Sequence, residues 1–171
     1  MKSVLFDRIT IIVAVMIIFI VPNAFSLDNG EEMPAFSVVS GDGQILIHTD
    51  LSEKTVLLFY EDRSRTDLNR ELKDYLKGQD FDREEVRTVS VVDCSNAGVF
   101  RKIWQNQLVD SSRKNGTTVF GDWNGVMKRD FRFASDTSTF AVIDPSGRVV
   151  YIRSGAVPAS DFPTIRSFLV P

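Results

Sequence analysis

The sequence is poor in the residues that carry most enzyme chemistry. It holds one cysteine, Cys94, and one histidine, His48, in 171 residues. A single cysteine cannot close an internal disulfide, and the same arithmetic excludes an intramolecular dithiol cycle. One histidine, one cysteine and no clustered carboxylates make no recognisable metal-ligand set, and no cofactor is expected. Ser64, His48 and an aspartate would supply the residue types of a nucleophilic triad. No Gly-x-Ser-x-Gly elbow surrounds Ser64, however, so a triad is not expected. Positive charges are interspersed with acidic ones at a net charge of −3, which leaves no basic stripe for nucleic acid.

Long apolar runs are scarce too. An uncharged, almost wholly apolar run from Ile9 to Val21 spans 13 residues, short of the roughly 20 that a membrane-spanning helix needs. Lys2 and Arg8 stand before it, Pro22 breaks it, and Ala24-Phe25-Ser26 places small residues at −3 and −1 of a cleavage point. That layout reads as a secretory signal peptide over residues 1–26, removed on export. No cysteine follows the run, so a lipid-modified cysteine at that point is excluded. The exported chain is expected to begin near Leu27, in an oxidising space. Residues 27–33 read as a flexible leader and 34–171 as one domain. Membrane contact is expected only if the N-terminal segment is retained.

What is present describes a packed α/β domain. Pro34 to Val39 and Gln44 to Ile47, separated by Gly41-Asp42-Gly43, read as a hairpin. Thr55 to Tyr60 is continuously apolar, as befits a central strand covered on both faces. A charged loop, Glu61 to Thr66, leads to an expected helix from Asp67 to Lys77. Its inner stripe is Leu68, Leu72, Tyr75 and Leu76, with Arg70 able to pair with Asp74 and Gly78 as the stop. Val86 to Val92 is a second strand. Ser95 or Asn96 is expected to cap a helix with Val99, Phe100, Ile103, Trp104 and Leu108 facing inward, ended by Asn115-Gly116. Thr117 to Phe120 is extended, Gly121 to Gly125 is a loop, and Val126 to Phe133 has the spacing of a short helix. Ser138 to Ile143 and Arg148 to Arg153 flank an Asp144-Pro-Ser-Gly147 turn and form a second hairpin. A last helix follows Ser160 or Asp161, with Pro163 in its first turn. Hairpin, β-α-β, α, hairpin, α is the order of an α/β sandwich: a mixed central β-sheet flanked by helices, with an N-terminal β-hairpin extension.

Pro34-x-Phe36, Asp42-Gly43, Lys54 to Tyr60 with its helix, Val89 to Asp93, and Ser138 to Gly147 together resemble the thioredoxin-like superfamily in its extended form. Arg63-Ser64, Asn69, Phe100 to Trp104, Gly121-x-Trp123 and the Val142-Ile-Asp144…Gly147-Arg148-Val149…Gly155 ending are most similar to the YtfJ-type family of exported bacterial proteins. The resemblance implies a thioredoxin-like fold and periplasmic residence. It also exposes a departure. Where redox thioredoxins carry Cys-x-x-Cys, this chain has Ser64-Arg65-Thr66-Asp67, and where they place a proline facing the active site, the nearest residue is Thr137. A serine hydroxyl does not replace a thiolate, because it does not ionise usefully near neutral pH.

Two candidate sites remain. Cys94 has a bland reading as a small buried hydrophobe, and an active one as a lone thiol that makes the protein a thiol-dependent oxidoreductase or peroxidase. The loop after the first central strand offers Arg63, Ser64, Arg65 and Thr66, which with a helix N-terminus could bind a carboxylate or phosphate. Against this, Glu61, Asp62 and Asp67 could simply neutralise the arginines, with Ser64 or Thr66 acting as a helix cap. Thr137 and Trp123 complete the expected binding set, while Trp104 reads as core. The resulting expectation is a periplasmic, non-redox binding or interaction module whose partner is another periplasmic protein or a small anion.

Overall fold

Five uninterrupted apolar side chains, Val56 to Tyr60, can be buried on both faces only in the middle of a sheet, and that is where they lie. The computed structural model describes residues 27–169, so the signal-peptide reading of residues 1–26 lies outside the described residues. In chain order the elements are β1 (Ser37–Ser40), β2 (Ile45–Ile47), β3 (Thr55–Glu61), α1 (Arg70–Lys77), β4 (Val86–Asp93), α2 (Arg101–Asn115), β5 (Val119–Asp122), α3 (Val126–Asp130), β6 (Ser138–Ile143), β7 (Val149–Ser154) and α4 (Phe162–Ser167). The seven strands form one sheet in the order β2-β1-β5-β4-β3-β6-β7. β3, β4 and β5 run parallel and the outer pairs antiparallel, which makes the sheet mixed. No helix among the described residues is long and apolar enough to cross a membrane.

Strand alternation sorts the core into two layers. Val56, Leu58 and Tyr60 face Met127, Phe131 and Phe133 around α3. Leu57 and Phe59 face the other way, onto Leu72 and Leu76 of α1 and Phe162 and Ile165 of α4. On that second side α2 covers Val92 and Val119 through Leu108. Fully burying one such side chain contributes about 1.5–3 kcal/mol.

Three local differences from the expected layout matter for the site. Residues 27–33, read as a flexible leader, lie along the β6–β7 hairpin: Leu27 is buried in the core, Gly30 N–H donates to Val149 C=O at 2.7 Å, and Met33 N–H donates to Gly147 C=O at 2.8 Å. The leader is held because β7 is an edge strand with free backbone groups. Next, α1 starts at Arg70 rather than Asp67, which leaves Leu68 exposed and lets Arg70 pair with Asp67 at 2.7 Å instead of with Asp74. Finally, the stripe expected to face inward from α2 is largely outside. Only Leu108 of that stripe is buried, Trp104 is half-buried, and Val99, Phe100 and Ile103 stand in solvent. Gly98–Phe100 is a 3-10 turn, whose three-residue repeat shifts the phase before the α-helix begins.

Candidate functional site

β3 delivers the chain to the C-terminal edge of the parallel strands, where open α/β sheets leave room for ligands. There Asp62 turns the chain. Its carboxylate accepts from Ser64 N–H at 2.8 Å and from Ser64 Oγ–H at 2.6 Å, and the residues Arg63–Arg65 close a 3-10 turn. The turn is fastened to β6 at two points: Asp62 N–H donates to Thr137 C=O at 3.2 Å, and Ser138 Oγ–H donates to Arg65 C=O at 2.8 Å. Thr137 thus serves the loop through its backbone carbonyl. Neither Ser64 nor Thr66 caps a helix; Asp62 does the capping, and Thr66 to Asn69 separate the turn from α1. The loop arginines therefore do not sit at a helix N-terminus. Asn69 is itself buried and bonded across the molecule, accepting from Val157 N–H at 2.9 Å.

The acids expected to neutralise the arginines are engaged elsewhere. Glu61 is buried and pairs with Lys73 at 2.7 Å, Asp67 pairs with Arg70, and Asp62 holds Ser64. Burial raises the Glu61 pKa, with the Lys73 ammonium opposing the shift. Among the described residues neither Arg63 nor Arg65 joins a salt bridge. Arg63 is instead held against α2: its Nη2 donates to Gln107 Oε1 at 3.0 Å, and its guanidinium carbon lies 4.5 Å from the centroid of the Trp104 ring. A charge fixed by a neutral amide and an aromatic face keeps its field available to a ligand.

Between this loop, the end of β4 and α2 opens a cleft of about 450 Å³, lined by Asp62, Arg63, Ser64, Asp93, Asn96 and Trp104. Its floor is electrostatically settled. Asp93 accepts from Ser95 N–H and Oγ–H and from Lys128 Nζ, the last at 2.7 Å. Burial opposes ionisation of Asp93, but the bonds from Lys128 and Ser95 outweigh it and hold the carboxyl below the usual range. Behind the floor, buried Asp122 accepts from Tyr60 Oη–H at 3.1 Å and Lys128 N–H at 2.9 Å, while its Oδ1 has no partner among the described residues. Burial first, then the Asp122 and Asp93 charges, raise the Tyr60 pKa.

Cys94 belongs to this interior. It is 1% exposed and packs with Val92, Leu108 and Val119. Burial first, then the charges of Asp93 and Asp122, push its thiol up to about 12. Reactive thiols need the opposite setting, a lowered pKa and access to solvent.

Of the residues expected to bind, Arg63 and Ser64 line the cleft, whereas Arg65, Thr66, Thr137 and Trp123 do not. Trp123 is a fastening between the hairpin and α2. Its Nε1–H donates to Val39 C=O at 2.8 Å, Arg101 lies over its ring at 4.8 Å, and only a glycine at position 121 leaves room for it, since a Cβ there would meet the ring at 2.8 Å. Asp93, Asn96 and Trp104 were not expected in the site. The available signal was positional: Asp93 to Asn96 end a strand parallel to β3, and the ends of parallel neighbours share one edge. Among the described residues no group of three or more His, Cys, Asp or Glu side chains is placed to hold a metal ion.

A family model described as a bacterial protein of unknown function, YtfJ_HI0045, matches residues 51–169. No curated protein sequence matches the chain. Solved structures share its fold at low identity. The pneumococcal exposed lipoprotein thioredoxin of Streptococcus pneumoniae is 20% identical over 80% of this chain and 98% of its own, with a TM-score of 0.58. The thioredoxin domain of a thiol-disulfide oxidoreductase from Bacteroides vulgatus is 15% identical over 85% of this chain and 100% of its own, with a TM-score of 0.57. A Chlorobium tepidum protein described as a candidate thiol:disulfide interchange protein DsbE is 19% identical over 83% of this chain and 95% of its own, with a TM-score of 0.55. These likenesses establish a thioredoxin-like fold, reached here with one cysteine and no Cys-x-x-Cys.

Proposed function

We propose that this chain, which belongs to the YtfJ_HI0045 family, is a periplasmic, non-redox binding module that uses the cleft between the β3–α1 loop and α2 to hold a ligand bearing a carboxylate or phosphate. The observation that carries the reading is Arg63, a guanidinium at the cleft wall fixed by Gln107 and Trp104 that, among the described residues, forms no salt bridge with the acids beside it in sequence. A guanidinium held in place loses little freedom on binding an oxyanion, and its planar fork matches two oxygens at once. Asn96 and Ser64 add polar groups, and Trp104 adds an aromatic surface.

The thiol-dependent alternative draws no support from Cys94, which is buried and has its pKa pushed the wrong way for a nucleophile. Export is supported by the signal-peptide layout of residues 1–26 and by a structure of like fold described as an exposed lipoprotein. Thermal unfolding of the chain in phosphate, citrate and short dicarboxylates tests the reading. Stabilisation that grows with ligand concentration and is lost in Arg63→Ala supports it; a binder at a hundred times its dissociation constant adds about 2.7 kcal/mol. No stabilisation by any oxyanion, or equal stabilisation of Arg63→Ala, overturns it.

A further inference from the structure

The apolar residues that were expected to be core, and are not, identify the kind of ligand. Val99 is 93% exposed, Phe100 57% and Ile103 54%. Phe100, Ile103 and Trp104 stand at i, i+3 and i+4, so they share one flank of α2 and its entry turn. Trp104 lines the cleft, and Gln107, three residues further on, anchors Arg63. Phe100 and Ile103 therefore continue the cleft wall outward as an apolar shelf, and Val99 extends it at the tip of the 3-10 turn. An apolar group of this kind beside a polar cleft is a surface that another molecule covers.

Charge says what covers it. From Ser95 to Val109 the chain carries Arg101 and Lys102 and no acidic residue, in a protein whose net charge is −3. With Arg63 on the cleft side, the shelf is bordered by positive charge, and a two-fold pairing of two such shelves would bring like charges together. An anionic lipid surface would neutralise the cations, but a flat bilayer face does not fill the recessed cleft that continues the shelf. A polypeptide brings what the surface lacks: carboxylates for the cations, apolar side chains for the shelf, and backbone groups for the polar cleft.

We propose that the cleft and the Val99–Phe100–Ile103 shelf form one docking surface for a segment of a partner protein that carries acidic side chains beside apolar ones. The inference rests on the binding role of the cleft and adds the class of partner. The full chain is immobilised and offered a phage-displayed library of random twelve-residue peptides. The expected result is a selected set enriched in Asp and Glu together with Leu, Ile or Phe. Those peptides should bind at least tenfold more weakly to Val99→Ser/Phe100→Ser/Ile103→Ser and to Arg101→Glu/Lys102→Glu. All five positions are exposed, so the serine variant should unfold at the wild-type temperature, whereas the glutamate variant loses the Arg101 contact with the Trp123 ring and should unfold slightly lower; circular dichroism checks that both remain folded. Four results overturn the proposal: no acidic-apolar enrichment; equal binding by both variants; binding to phosphatidylethanolamine–phosphatidylglycerol vesicles abolished by the three serines; or a concentration-dependent dimer abolished by them. If oxyanions stabilise the wild type but not Arg63→Ala, while the serine variant keeps full peptide affinity, the cleft reading stands and only the shelf is removed.

Discussion

Arg63 on the β3–α1 loop and Trp104 on α2 are stacked, with the guanidinium carbon 4.5 Å from the ring centroid. The contact joins two elements that are separate in sequence and that both line one cleft. An exposed cation–π pair contributes about 0.5–1 kcal/mol. Trp104 also packs against the Val92, Cys94, Leu108 and Val119 cluster, so Trp104→Leu should lower stability by more than the stack alone while releasing Arg63, and oxyanion affinity should fall several-fold. Calorimetric titration of the variant checks this, and unchanged affinity would show that the stack does not position the guanidinium.

Cys94 is predicted to be inert in the native state. Its pKa moves from an ordinary 9.0 to about 12, so at pH 8 the thiolate fraction is very small. Iodoacetamide should label it only as fast as the protein unfolds. The folded thiol holds its proton to higher pH than the unfolded one. The corresponding stability is therefore complete below pH 9.0 and is lost as pH rises towards about 12. Cys94→Ala should cost about 1 kcal/mol and Cys94→Ser about 1–3 kcal/mol, because the serine buries a hydroxyl. Both should keep full ligand affinity, which denaturant melts and titrations together would establish.

Asp93 and Lys128 tie the end of β4 to α3, and the pair gives an acid-side prediction. The folded Asp93 carboxyl sits below its ordinary 3.8. Its contribution is present above pH 3.8 and is lost as pH falls through the lower folded value. Lys128→Met should remove a charge-assisted bond worth about 1.5–3 kcal/mol at neutral pH. It should also move the midpoint of acid unfolding upward, as tryptophan fluorescence across a pH series would report. An unmoved midpoint would mean that Asp93 is held by Ser95 alone.

The fastening at Trp123 should matter to stability and not to binding. Gly121→Ala would drive a Cβ to within 2.8 Å of the indole and 3.1 Å of Leu108. Overpacking of this kind costs about 1–3 kcal/mol. Trp123→Phe shrinks the ring and drops the N–H bond to Val39, the lost bond alone costing about 1 kcal/mol. Oxyanion affinity should be unchanged in any folded fraction, and a loss would bring Trp123 back into the binding surface.

The strands were readable because their chemistry is one-dimensional. Val56 to Tyr60 and Ser138 to Ile143 are apolar runs that only a central strand can bury, and the Asp144–Gly147 turn marks its own hairpin. Periodicity, by contrast, shows which residues share a face and not whether anything covers it, so Val99, Phe100 and Ile103 looked like core. Neighbours in sequence also misled at the loop. Glu61 and Asp67 stand beside the arginines, yet Lys73 and Arg70, one helical turn or more away in α1, claim them. Arg63 and Ser64 were legible as candidates from the missing thiols, and both line the cleft. Asp93, Asn96 and Trp104 were not, because only the parallel pairing of β3 with β4 and the placing of α2 bring them to the same opening.

The central claim is that an oxyanion-bearing ligand enters the cleft beside Arg63. The most direct measurement is a ¹H–¹⁵N NMR titration of the chain with phosphate and a short dicarboxylate. The two tryptophans give an internal control, since Trp104 lines the cleft and Trp123 does not. Saturable shifts at Asp62 to Ser64, Asp93 to Asn96 and the Trp104 indole, with the Trp123 indole still and the response lost in Arg63→Ala, are the predicted outcome. Shifts confined to other surfaces, or none at these residues, would contradict the account.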